Sequence, residues 1–171
     1  DILATETQFS LLEDLACKDV TSSLLSEELN TLADKIEYSE KNIKTSATEV
    51  ATLKRYYSLL EIKDYLLMKK VSERCGKQFS FVLYFYTTRD NCSECVKQSF
   101  VLSTLREKYP DLRVYSFDYN FDLTAIKSLI SIYKVKDTEL PAVILNDKLL
   151  TGFQSIEDIE ELLPEEFKAE A

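Results

Sequence analysis

Histidine is missing from all 171 residues. That removes histidine-based triads, histidine-ligated metals and a histidine set between paired cysteines. Glycine and proline are scarce, at 2 and 3 residues, and none of either falls between residues 6 and 74. With 45% hydrophobic and 30% charged residues, this scarcity suits a helix-rich globular chain and not a disordered one. Basic runs are lacking too. The net charge is −9, no basic stripe is visible, and nucleic acid is not expected as a partner. No stretch reaches the roughly 18–20 apolar residues of a membrane span, and no signal peptide is recognisable. The chain opens on Asp1 and not on Met, so trimming is expected, which leaves open a removed signal or a membrane tether upstream of residue 1. The cysteines number only 4, with a single Cys-x-x-Cys. A four-cysteine zinc site would need them all, at a spacing unlike the usual ribbons. Neither a metal nor a cofactor is therefore expected.

What is present begins with a long helical pattern. Leu11, Leu15, Leu25, Leu29, Leu32, Ile36 and Ile43 fall on alternating three- and four-residue steps, and Lys18, Ser22 and Ser39 interrupt the same frame. Val50, Leu53, Tyr57, Leu60, Leu67 and Val71 form a second seam, with Asp64 as its polar member. Seams of this length predict two long helices packed together, in the manner of a coiled coil. Ser46 with Glu49 reads as a capping box and places a helix start, and so the turn, near Ser46. Residues 1–76 are accordingly expected to form an antiparallel helical hairpin, with a break near residues 19–23 where β-branched and cap-type residues cluster. Such a hairpin can pack as structure, or project as an arm for dimerisation or partner binding; the pattern leaves both open.

From residue 77 to 171 the pattern changes. Phe81–Tyr86 is an apolar, aromatic run that suits a buried strand. A short polar segment and Cys92-Ser93-Glu94-Cys95 follow. Val96, Phe100, Val101 and Leu105 then recur at helical spacing. Cys92 is thus expected at or just before a helix N-terminus, where amide groups and the positive end of the helix dipole favour a thiolate. Cys95 lies one turn further, within disulfide reach. This spacing supplies one exposed nucleophilic sulfur and one resolving sulfur. Tyr109-Pro110-Asp111 stops the helix, and 112–118 alternates as a strand. Residues 123–133 read as a helix with Ile126, Leu129, Ile130 and Tyr133 on one face. The runs 141–145 and 148–151 flank Asn146-Asp147, a hairpin turn. A further capping-box variant at Ser155 opens a last helix ending by Leu163-Pro164.

The strand–Cys-x-x-Cys–helix unit, Leu140-Pro141 opening an apolar run about 45 residues later, and Gly152 before a final amphipathic helix together resemble the thioredoxin-like superfamily. The resemblance spans roughly residues 78–163. It implies an α/β, thioredoxin-like fold, here without an evident first strand and preceded by the helical hairpin. It implies thiol–disulfide exchange on protein thiol or disulfide substrates: Cys92 attacks and Cys95 resolves the mixed disulfide. It also implies that Pro141 is a cis-proline shaping the substrate groove, with the backbone at Leu140 available to pair with substrate. The chain departs from thioredoxin itself in two places. Ser93-Glu94 stands between the cysteines in place of Gly-Pro, and Tyr84 stands where thioredoxin has a buried acid. Peroxide reduction has little support, because Thr88 stands four residues before Cys92 and the peroxiredoxin pattern is absent.

The competing reading is a non-enzymatic binding or assembly module, in which Cys92–Cys95 is a local staple and the arm makes the interactions. Cys17 and Cys75 are equidistant from Ser46. Positions symmetric about the turn of an antiparallel hairpin face each other, so these two are expected to form a structural disulfide, the alternative being two buried thiols. Such a bond would stabilise by about 4 kcal/mol in the chain-entropy model and implies an oxidising, extracytoplasmic location.

Overall fold

The computed structural model describes Leu11 and residues 24–42, 44–88 and 92–170. The chain divides into two compact units, Asp1–Lys77 and Gln78–Ala171. In the first, helices α1 (Leu24–Lys41) and α2 (Ala47–Cys75) are joined by a short turn. A link this short returns the chain antiparallel to itself. Ser46 starts α2 in extended conformation, and its hydroxyl accepts the amide of Glu49. The chain stops at Gly76, whose left-handed φ of 66° lets its amide reach the Ser72 carbonyl at 3.1 Å. Leu25, Leu32, Leu60 and Leu67 form the core of the pair, with Leu29, Leu53, Tyr56, Tyr57 and Val71 packed around them. All of these except Tyr56 belong to the two seams. Asp64 is buried, and so is Glu61 one turn before it. Cys75 closes α2 and is not a free thiol. Cys17, Leu15, Lys18, Ser22, Ile43 and the break expected at residues 19–23 lie outside the described residues.

The second unit is a mixed four-stranded sheet. Strand β1 (Ser80–Tyr86) pairs in parallel with β2 (Leu112–Asp118), from Ser80 opposite Leu112 to Tyr86 opposite Asp118. On its other side β1 pairs antiparallel with β3 (Ala142–Leu145), Phe85 facing Ala142. β4 (Lys148–Thr151) pairs antiparallel with β3, giving the order β2-β1-β3-β4. Helix α3 (Cys95–Lys108) connects β1 to β2, and α4 (Thr124–Tyr133) with a short 3-10 turn (Asp137–Glu139) connects β2 to β3. Helices α5 (Ile156–Leu162) and α6 (Glu165–Ala169) follow β4. This is a thioredoxin-like fold. Among the described residues no strand precedes β1.

The two central strands of the sheet, β1 and β3, are buried on both faces. Val82 and Tyr84 of β1, with Val143 and Leu145 of β3, share one core with Leu102 and Leu105 of α3, Ile159 of α5 and Phe167 of α6. Alternation turns Leu83 and Phe85 to the opposite face, where the Phe85 ring lies 5.6 Å from that of Phe117. Fully burying a side chain such as Leu105 stabilises by roughly 1.5–3 kcal/mol. The face that α3 presents to the core is Cys95, Gln98, Leu102 and Leu105. Val96 and Phe100, which share the helical spacing, are 65% and 70% exposed. The other two residues of that spacing do meet the sheet: Leu105 lies in the core and Val101 packs against it.

Local signals set the turns. Asn146 and Asp147 both take positive φ, 46° and 71°, as a two-residue hairpin requires. Asn146 also extends the sheet: its amide donates to the Phe81 carbonyl and its side-chain oxygen accepts the Phe81 amide, both at 2.9 Å. Ser155 and Asp158 make a reciprocal capping box at the start of α5.

One cluster at the edge of the core joins α3 to α5. Glu160 accepts from the Lys108 ammonium at 2.5 Å and from the Tyr109 hydroxyl. Lys108 first, and Tyr109 after it, hold the Glu160 carboxyl below the usual carboxylate range. A depressed folded-state pKa contributes stability that is present above the unfolded value, about 4.3, and is lost as pH falls through the folded one. Replacing Glu160 by Gln is therefore expected to lower the urea midpoint at pH 7, modestly because the pair is solvent-screened. The difference from wild type should narrow as pH falls below the unfolded carboxylate value, about 4.3, which urea titrations of both proteins across pH will check.

Candidate redox site

The end of β1 delivers the chain to the paired cysteines. Parallel pairing continues one step past the strand, the Tyr119 amide donating to the Tyr86 carbonyl at 2.8 Å. Thr87 is buried, and its hydroxyl oxygen accepts from the Asn120 side chain at 3.0 Å. Residues 89–91 lie outside the described residues. Cys92 is half-buried, Ser93 and Glu94 are exposed, and Cys95 is buried as the first residue of α3. The Cys95 amide turns back to the Cys92 carbonyl at 3.3 Å. The two sulfurs are bonded, with Cα atoms 5.5 Å apart, inside the range a disulfide accepts. Glu94 occupies the N-cap position in helical rather than extended conformation, and no side chain caps the helix. The first-turn amides of α3, which have no carbonyl of their own helix to bond, therefore open toward the sulfur side with the positive end of the dipole.

Beneath the disulfide lies a polar device. Tyr84, 2% exposed, directs its hydroxyl to the Cys95 carbonyl at 2.7 Å. The Ser99 hydroxyl donates to the same carbonyl at 3.1 Å and lies 3.4 Å from the Tyr84 oxygen. Burial pushes the phenol above its ordinary pKa, only partly opposed by the Ser99 contact, so Tyr84 stays a neutral donor at physiological pH.

A second buried group pins the same helix. Gln98 is 0% exposed. Its side-chain amide donates to the Gln154 carbonyl at 3.0 Å, and its oxygen accepts the Gln154 backbone amide at 2.8 Å. One side chain thus satisfies both backbone groups of Gln154, as a neighbouring strand would. Gly152, at a left-handed φ of 75°, sends its amide to the Glu139 carbonyl at 3.2 Å. The 152–154 loop is thereby tied both to α3 and to the 3-10 turn that precedes Leu140. Leu140 is half-buried, Pro141 is buried, and the peptide between them is cis. Because Ala142 faces Phe85, Pro141 stands at the sheet end where β1 hands over to the cysteine segment.

Four of the six residues singled out in the sequence, Cys92, Cys95, Leu140 and Pro141, therefore belong to one end of one sheet. Cys75 belongs to the helical unit, and Cys17 lies outside the described residues. Sequence reasoning missed Ser99, Gln98 and Gln154. The step from Cys95 to Gln98, Leu102 and Leu105 is itself helical, and a glutamine inside that stripe was the available signal. Among the described residues no group of three or more acidic or cysteine side chains could hold a metal ion.

No family model matches the chain, and no curated protein matches it. Solved structures do. A malarial protein is similar at 25% identity and a TM-score of 0.41 over 50% of this chain and 93% of that one. Thioredoxin O2 from Arabidopsis thaliana, in the oxidised state, is similar at 20% identity and a TM-score of 0.40, over 49% and 71%. The germline-specific thioredoxin Deadhead of Drosophila melanogaster is similar at 21% identity and a TM-score of 0.36, over 56% and 88%.

Replacing Gln98 by Leu keeps the buried volume close to unchanged but strands the amide and carbonyl of Gln154. Gln154 is half-buried, and each lost hydrogen bond costs about 0.5–1.5 kcal/mol net. The variant is expected to lose about 1–3 kcal/mol of unfolding free energy, measurable by urea denaturation of the oxidised protein.

Proposed function

We propose that this protein is a thiol–disulfide oxidoreductase acting on protein substrates. The observation that carries the proposal is the bonded pair itself. A half-buried Cys92 precedes an uncapped helix start, and a buried Cys95 opens that helix, at the sheet end that also holds Pro141. In the reducing direction the Cys92 thiolate attacks one sulfur of a substrate disulfide. A Cys92–substrate disulfide forms, and the other substrate sulfur leaves as a thiolate. Cys95, deprotonated, then attacks the Cys92 sulfur and displaces the second substrate thiolate. Two electrons pass from the dithiol to the substrate, whose thiolates take up the two protons released, and the Cys92–Cys95 disulfide remains. A substrate dithiol runs the same steps backwards. Leu140 and Pro141 line the groove in which the substrate backbone lies.

Glu94 sets the poise. Its charge stands between the two cysteines and opposes the thiolate that the helix start favours. A stabilised thiolate makes a pair more oxidising, so the pair is a reducing one.

Insulin reduction with a dithiol reductant tests the activity. Wild type is expected to accelerate turbidity, and Cys92→Ser to abolish the effect. Cys92 is also expected to alkylate faster than Cys95 in the reduced protein. The potential should fall well below the most oxidising members, about −120 mV. An inert wild type would favour the binding-module reading instead.

We further propose that Cys17 and Cys75 form a structural disulfide and that the protein works outside the cytoplasm. Their symmetry about Ser46, and the position of Cys75 at the capped end of α2, support the pairing; the bond in turn supports the location. Peptide mapping of aerobically purified protein without reductant should recover the 17–75 crosslink, and free thiols at both positions would remove the case for an oxidising compartment.

A further inference from the structure

We propose that the Tyr84 hydroxyl, through its bond to the Cys95 carbonyl, is a positioning group that raises the acidity of Cys92. The proposal rests on the redox reading above, and it concerns a side chain that is buried beneath the cysteine pair. Tyr84 and Ser99 both donate to one carbonyl, at 2.7 and 3.1 Å. That carbonyl belongs to the peptide whose amide is Val96, in the first turn of α3. A donor on the oxygen of a peptide polarises the whole unit and strengthens its N–H as a donor. First-turn amides of a helix have no intrahelical acceptor. Here no side chain caps them, and Cys92 is the ionisable group just ahead. The buried Tyr84 hydroxyl and the exposed Ser99 hydroxyl therefore act on the sulfur at the helix start, through one peptide bond and without adding a charge.

The burial of Tyr84 suits this role. At 2% exposure the hydroxyl has no water to turn to. Desolvation keeps it protonated, so the donor does not switch off in the range where a thiol titrates. A carboxylate in its place would add a negative charge beneath the pair and oppose the thiolate. The charged side chains described beside Cys92 are Glu94 and Lys97, both exposed; Arg89 and Asp90 lie outside the described residues. All four stay constant when the hydroxyl alone is removed.

The test is the pH dependence of Cys92 alkylation in the reduced protein, followed site by site by peptide mass mapping, in wild type, Tyr84→Phe and Ser99→Ala. Losing a 10–30% strengthening of a charge-assisted bond leaves roughly 1.3- to 4.6-fold less thiolate at a pH below the thiol pKa. Tyr84→Phe is expected to slow Cys92 alkylation there by about that factor and to make the pair more reducing. Alkylation at high pH should be unchanged. A purely structural tyrosine would lower the melting temperature and leave the alkylation midpoint in place, and that result in folded Tyr84→Phe overturns the proposal. If Tyr84→Phe does not fold, Ser99→Ala reads the same carbonyl from the second donor: an upward shift supports the proposal and an unmoved midpoint overturns it. Wild-type insulin reduction is scored separately, so an inactive protein with a shifted thiol pKa would defeat the redox reading and leave this inference standing.

Discussion

β1 is paired along both edges and buried on both faces. Its parallel register with β2 runs over all seven residues, and its antiparallel register with β3 covers Val82 to Phe85. A slip of one residue would turn Leu83 and Phe85 toward α3 and bring Val82 and Tyr84 to the other side. No such slip keeps both cores filled, so the strand has one position. Everything at its far end inherits that position. Tyr84 reaches the Cys95 carbonyl because it is the residue that faces α3, and Pro141 stands at the cysteine end because Ala142 is held opposite Phe85.

The cysteine end is held by hydrogen bonds as well as by the sheet. Its polar side chains Gln98 and Thr87 are buried, and each has a defined partner. Gln98 occupies both backbone groups of Gln154, Gly152 binds back to Glu139, and Asn120 holds Thr87. A satisfied buried polar network tolerates few alternatives, because every displaced group would be left without water. The loops at this end are thus set in part by backbone and side-chain hydrogen bonds. Around the pair itself the electrostatics are mixed. The uncapped helix start and the hydroxyls under Cys95 favour a thiolate, while Glu94 opposes it.

The helical unit follows a different logic. Its core of four leucines is closed by apolar residues from both seams, and its ends are marked by Ser46 and Gly76. Polar residues enter its buried stripe at Glu61 and Asp64. A buried acid within an apolar seam stabilises less than leucine would, and such positions set register and partner choice where they occur in paired helices.

Much of this was readable before any coordinates. Periodicity marked both helices of the hairpin, because a buried stripe must repeat with the turn of the helix. Ser46, Ser155 and Asn146-Asp147 announced their turns, because each depends on a local backbone preference or a bond to a near neighbour. The strand–Cys-x-x-Cys–helix order placed two sulfurs at a helix start for the same local reason. What the sequence could not settle was decided by contacts between residues far apart in the chain. Val96 and Phe100 share helical spacing with Leu105, yet the sheet took the stripe through Gln98 and left those two exposed. Gln98 meets Gln154 across 56 residues, and Ala142 meets Phe85 only in the folded sheet. The hydroxyl of Tyr84 likewise found its carbonyl through the packing of α3 on β1. Local preferences are written in short stretches of sequence, whereas the phase of a helix against a sheet is chosen by which face excludes the most water at the least polar cost.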